Sequence, residues 1–203
     1  MKISVLEQNY QQMKLENKKE CVGCLAKDIL LQGQSCPIAA QDVRTDELLL
    51  TRDGIYKTVL DIKYGSSSNI YQLTLSCGYT IRLTGDHTLC RADGMPVVAS
   101  NVRPGDELQI FRTDMMKLDS SQVISVEEQP YEDTVYNFVF DEPTFLVAQG
   151  IVAGDHEYQQ IVKPKGRGDN LCLHGLRTGR RIYLPFGGSD GRRCREDEKA
   201  RLD

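Results

Sequence analysis

Cys24 follows Gly23 and stands upstream of the segment Thr84-Gly85-Asp86-His87. A thiol, a hydroxyl and an imidazole are the groups needed to convert a peptide bond into a thioester. The Cys24 sulfur attacks the Gly23 carbonyl, and the amide nitrogen of Cys24 leaves with a proton. His87 is the candidate donor of that proton, because an unperturbed imidazole titrates at about 6.5. The Thr84 hydroxyl is suited to hold the twisted scissile peptide or the developing oxyanion, a service worth ~10²–10³-fold in rate. On this reading the substrate of the chain is its own Gly23–Cys24 bond. The bland alternatives are a Cys24 that serves as a small buried hydrophobe and a His87 bonded to backbone at a hairpin end.

The chain around these residues has 203 residues, 40% hydrophobic and 27% charged, the composition of an ordinary globular protein. No apolar run approaches the ~20 residues of a membrane helix, and Met1-Lys2-Ile3-Ser4-Val5-Leu6-Glu7 lacks a secretory signal's apolar stretch. The expected location is therefore the cytoplasm, with no membrane partner. Seven cysteines cannot all pair with one another, which favours a reducing compartment and free thiols. Cys21-x-x-Cys24 is the one close pair; as half of a zinc site it would need Cys172, His174 or Cys194, and Cys172-x-His174 is poorly spaced for that. No cofactor is expected.

Charge divides the chain. Residues 156–203 carry 11 Lys/Arg and 7 Asp/Glu, whereas the remainder carries 14 and 22, which marks a boundary near residue 155. The basic portion is turn-rich, with a cluster of Arg residues at 177–195. That pattern reads as a solvated face before it reads as a nucleic-acid site. Residues 1–20 are polar and read as a short helix or a loose lead-in.

Between these ends, the chain reads as short strands broken by turns. Leu48-Leu49-Leu50 runs to an Asp53-Gly54 turn, and Thr58–Tyr64 alternates apolar with polar before a Gly65-Ser66-Ser67-Ser68 loop. Tyr71–Leu75 and Thr80–Thr84 flank a Cys77-Gly78 hairpin turn. An internal repeat appears on top of this alternation. Val43-Arg44-Thr45-Asp46-Glu47-Leu48 returns as Val102-Arg103-Pro104-Gly105-Asp106-Glu107-Leu108, and Ile70–Leu75 returns as Val135–Phe140. Two copies predict an all-β, pseudo-twofold fold rather than a solenoid.

Four segments then resemble, in order, the motifs of the Hint superfamily, which comprises inteins, bacterial intein-like domains and Hedgehog autoprocessing domains. Cys24–Leu30 is similar to the opening strand with its nucleophile, and Pro37–Leu48 to the proline-isoleucine segment. Leu83–Leu89 is similar to the Thr-x-x-His motif, and Val135–Phe138 with Phe145–Val152 to the closing strands. The resemblance spans roughly residues 22–155. It implies a horseshoe-like Hint domain at 24–155, an N-terminal flanking segment at 1–23 and a basic C-terminal extension at 156–203.

It also implies an N-to-S acyl shift at Gly23–Cys24, with water or a small thiol or amine as the second nucleophile, and a monomer acting on its own flanking polypeptide. Splicing relatives end in His-Asn followed by Cys, Ser or Thr. Here Gly154-Asp155-His156 stands there, so Asp155 is a weak candidate for cleavage at that end and ligation should fail. Asn137 occupies a position where many relatives carry Asp, which implies slow resolution of the thioester. A catalytically degenerate Hint scaffold is the alternative, and a small zinc-bound interaction protein is a third.

Overall fold

The structure is a computed structural model that describes residues 23–161. The lead-in at 1–22, the extension beyond 161, and Cys21, Cys172, His174 and Cys194 lie outside the described residues. Within them the protein is built from β-strands, as the alternation predicts. They are β1 (Leu25–Ala26), β2 (Leu30–Gln32), β3 (Pro37–Ala39), β4 (Leu48–Leu50), β5 (Tyr56–Thr58), β6 (Asp61–Leu75) and β7 (Thr80–Leu83). There follow β8 (Thr88–Cys90), β9 (Pro96–Val98), β10 (Glu107–Arg112), β11 (Lys117–Val139), β12 (Phe145–Ala148) and β13 (Ile151–Gly154). One short helix, α1 (His156–Ile161), comes directly after Asp155. No helix among the described residues is long and apolar enough to cross a membrane.

The strands form one 11-stranded sheet and a two-stranded sheet of β4 and β5. β11 carries the architecture, because its first residues pair with β10 and the rest pair along β6 from Val123–Leu75 to Val139–Asp61. It stays in register over so long a course by shifting at Val123/Ser125 and Pro130/Asp133. Pro130 has no amide hydrogen to give a ladder, and a position beside such an irregularity is where a strand tolerates it.

The internal repeat is visible as matched hydrogen bonds. Glu47 N bonds Arg44 O and Asp106 N bonds Arg103 O, closing the same turn twice. Asp46 N bonds Val59 O as Gly105 N bonds Val123 O, and Val59 and Val123 each donate back to the acidic residue, Glu47 and Asp106. Asp46 and Gly105 occupy the positive-φ position of their turns.

Two expectations are corrected. Gly65-Ser66-Ser67 is not a loop, since these residues pair with Val135, Thr134 and Asp133 inside β6, and an available partner strand outweighs the weak strand preference of Gly and Ser. The repeated segment Val135–Phe140 is not a strand of its own, since Val135–Val139 are the end of the single β11, Lys117–Val139. The Cys77-Gly78 hairpin stands as expected, with Tyr71 facing Leu83. So does the closing pair β12–β13, whose Gln149-Gly150 turn has two consecutive positive φ angles, as the turn matching strand twist requires.

The main apolar cluster draws on most of the strands. Ile81 and Leu83 on β7 are buried while Thr80 and Arg82, which alternate with them, are half-buried, the period-two signature of a one-sided strand. They pack with Leu25, Leu73, Leu89, Phe138 and Ile151, all fully buried. At roughly 1.5–3 kcal/mol for each large apolar side chain removed from water, this cluster fixes the registers that build the site.

Candidate functional site

Register alone gathers the candidate residues. β1 lies between β7 and β11, with Leu25 facing Leu83 on one side and Tyr136 on the other. One step back along both antiparallel ladders brings Cys24 to Thr84 and Asn137. Elsewhere β13 lies against β8, with Ala153 facing Leu89, so one further step brings Gly154 to Thr88. The turn between β7 and β8, which carries Thr84 and His87, therefore meets the upstream junction at 23–24 and the end of β13 together.

The two sides of the Gly23–Cys24 peptide are held by different groups. Cys24 N donates to Thr84 Oγ1 at 2.8 Å, and Thr84 N returns a bond to the Cys24 carbonyl at 2.8 Å. The Thr84 hydroxyl passes its own proton to Asp86 Oδ1 at 2.6 Å. Asp86 Oδ2 accepts from Gly23 N at 3.0 Å, so one carboxylate braces both residues of the junction. Asn137 Nδ2 donates to the Gly23 carbonyl oxygen, while Asn137 Oδ1 accepts from Phe138 N at 2.8 Å. Thr84 thus sits on the amide nitrogen, and the carbonyl where an oxyanion would develop belongs to Asn137.

His87 is fully buried, and among the described residues neither ring nitrogen has a hydrogen-bond partner. Burial pushes its pKa down to about 4, opposed by the Asp86 charge and the nearby Gly23 carbonyl. The imidazole is therefore neutral at pH 7, where an exposed histidine near 6.5 would be about a quarter protonated. An orphaned, buried polar side chain is uncommon enough to want a reason.

Cys24 is buried and disulfide-bonded, whereas Cys36, Cys77 and Cys90 are free. The expectation of free thiols is corrected at this position. Its sulfur must be reduced before it can attack anything, since the thiolate is the nucleophile. Burial pushes the free thiol of Cys90 up to about 11, which keeps that sulfur inert.

Asp155 is spent differently from Cys24 and His87. Its Oδ1 accepts from Tyr158 N at 2.7 Å, capping α1, and Gln159 N bonds the Asp155 carbonyl at 3.2 Å. Oδ2 is buried without a partner among the described residues, and burial pushes the carboxyl up to about 7. Gly154 offers no side chain, and His156 is half-buried with its pKa lowered by burial.

Two residues of the site carried no mark in the sequence reading. Asp86 lies inside the quoted motif, and its two-oxygen acceptor chemistry was the available signal. Gln159 on α1 is nearly fully buried and reaches Thr88 N and the Gly154 carbonyl. Among the described residues no cluster of His, Cys, Asp and Glu could hold a metal ion.

Comparison with known proteins places this fold. The chain is similar to the gp41-1 intein, at 18% identity and a TM-score of 0.54 over 64% of this chain and 97% of that one. It is similar to a DnaB intein from Synechocystis sp. PCC 6803, at 17% identity and a TM-score of 0.57 over 66% and 98%. It is also similar to a bacterial intein-like domain from Clostridium thermocellum, at 17% identity and a TM-score of 0.56 over 67% and 99%. No family model and no curated protein matches the chain. The fold is of the Hint/intein type, and the all-β expectation stands.

Proposed function

We propose that residues 24–155 form an autoprocessing domain whose substrate is the Gly23–Cys24 bond of its own chain. The observation that carries this reading is the treatment of one peptide unit, whose N–H is held by Thr84 and whose carbonyl oxygen is held by Asn137. An ordinary buried junction needs its polar groups satisfied, but it needs no orphaned imidazole beside them.

The chemistry follows from the protonation states. Reduction by a thiol or phosphine frees the Cys24 sulfhydryl. Neutral His87 takes the thiol proton as the sulfur attacks the Gly23 carbonyl carbon, and the negative charge on that oxygen falls on Asn137 Nδ2. The imidazolium then hands the proton to the Cys24 nitrogen, the C–N bond breaks, and a Gly23–S–Cys24 thioester is left. Water or a small thiol or amine attacks that thioester, releasing residues 1–23 and restoring the Cys24 thiol. Joining of flanking segments is not part of the proposal, because His156 has no hydroxyl or thiol to accept an acyl group and Gly154-Asp155 replaces His-Asn.

The second reading, an inert module that keeps the fold, is favoured by one observation. Cys24 is both buried and disulfide-bonded. The readings separate when the reduced protein is incubated with dithiothreitol and its mass followed. The autoprocessing reading expects a 1–23 fragment that the Cys24→Ala variant does not yield. Intact mass in both proteins, with the β-fold retained, would establish the inert module.

A further inference from the structure

α1 turns one side chain back into the site, and that side chain is Gln159. Its Oε1 accepts from Thr88 N at 2.8 Å and its Nε2 donates to the Gly154 carbonyl at 3.0 Å. Tyr158 beside it packs on Phe145 with ring centroids 4.2 Å apart, which holds the helix against the sheet. With both amide atoms engaged and 1% of its surface exposed, Gln159 cannot swing away without stranding a buried N–H and a buried carbonyl.

The pinned amide lies directly over Gly23. A Cβ at position 23 would stand 2.6 Å from Gln159 Cδ, 2.7 Å from Oε1 and 2.9 Å from Cγ. The terminal atoms of a glutamine usually yield to such a clash, but these are held on both sides. Gly23 also has φ of +64°, a conformation that resists any side chain regardless of neighbours. Two separate restraints thus demand glycine before the nucleophile, and only one of them comes from Gln159.

We propose that Gln159 is a positioning residue that selects glycine at the upstream junction, so that a segment downstream of residue 155 sets which upstream chains are processed. The substrate class is a polypeptide ending in glycine, and any β-carbon at that position displaces the junction from Thr84 and Asn137. This rests on the proposed autoprocessing at Gly23–Cys24. It goes beyond it by assigning specificity to a residue outside the 24–155 domain.

The test is a double-mutant cycle on the full chain, with Gly23→Ala and Gln159→Ala alone and together. The readout is the rate of dithiothreitol-induced release of residues 1–23. Gly23→Ala should slow release far more with Gln159 present than with it replaced, by a coupling of about tenfold, within the range that contacting residues show. The φ-dependent part of the loss should persist in both backgrounds. Equal losses in the two backgrounds would overturn the proposal.

The same cycle is run by thermal unfolding on Cys24→Ala protein, which cannot form the thioester. There the Gly23→Ala penalty should shrink when Gln159 is replaced, and an unchanged penalty would again refute the fit. Because this arm needs no cleavage, a failure of autoprocessing alone leaves it standing. Gln159→Asn, one methylene shorter, replaces Gln159→Ala should the latter not fold, with the same expectations.

Discussion

Asn137 offers the sharpest perturbation of the proposed chemistry. Its Nδ2 meets the Gly23 carbonyl in a fully buried setting, so charge arriving on that oxygen has this donor and little water. A lost donor of this kind costs ~10²–10³-fold in rate, or about 3–4 kcal/mol of barrier. Asn137→Ala removes the donor, but it also strands the Phe138 N–H that now bonds Oδ1, at a cost of ~1–3 kcal/mol in stability. Asn137→Asp separates the two effects. It keeps an acceptor for Phe138 and nearly the same shape, and it loses the donor whenever the carboxyl is ionised.

Release of residues 1–23 under dithiothreitol, followed by mass spectrometry in single-turnover conditions, should fall about 100-fold or more for both variants at pH 8. The Asp variant should recover part of that loss as pH falls, because a buried carboxyl is pushed up in pKa and its protonated form can donate. Thermal unfolding on Cys24→Ala backgrounds shows whether each variant is folded. Folded variants that release within threefold of the parent would refute the assignment of the oxyanion to Asn137.

Two further outcomes follow from the structure. Since Cys24 is disulfide-bonded, hydroxylamine alone should leave the oxidised protein intact, and hydroxylamine with a phosphine reductant should release residues 1–23. Equal release with and without reductant in quenched time courses would contradict a reduction step ahead of attack. The second outcome concerns stability against pH. Asp155 titrates near 7 in the fold against 3.8 unperturbed, so in that window the native state holds a proton the unfolded chain has lost, and stability falls as pH rises. His87 titrates near 4 against 6.5, so the unfolded chain holds the extra proton and stability rises with pH. The two nearly cancel. Asp155→Asn, which still caps α1, should unmask the histidine as a gain of roughly 3 kcal/mol between pH 4 and 6.5 by denaturant titration, on chain of verified intact mass. A flat profile in this variant would show that His87 is not held neutral by burial.

What the sequence disclosed was local chemistry, and what it withheld was burial and pairing. Alternation and turn residues marked β7 and the Cys77-Gly78 hairpin, because each depends on neighbours in the chain. Gly65–Ser67 looked like a loop for the same reason, and only Asp133–Val135 across the ladder makes it strand. Cys24, Thr84 and His87 were recognisable by type, yet the pKa of His87 depends on removal from water that no motif encodes. Asn137 was visible as a residue, but which side of the peptide it serves is set by the register of Leu25 with Tyr136. Gln159 is one of two adjacent glutamines beyond a charge boundary, and only the direction of α1 distinguishes it from Gln160.

The central claim is that Cys24 attacks the carbonyl of Gly23, and its direct record is the chemical end left on the upstream fragment. Reduced protein treated with hydroxylamine and analysed by tandem mass spectrometry should yield residues 1–23 ending in a Gly23 hydroxamate, together with a chain beginning at Cys24. An unbroken chain, a fragment ending anywhere else, or the same fragment from Cys24→Ala protein would contradict the account.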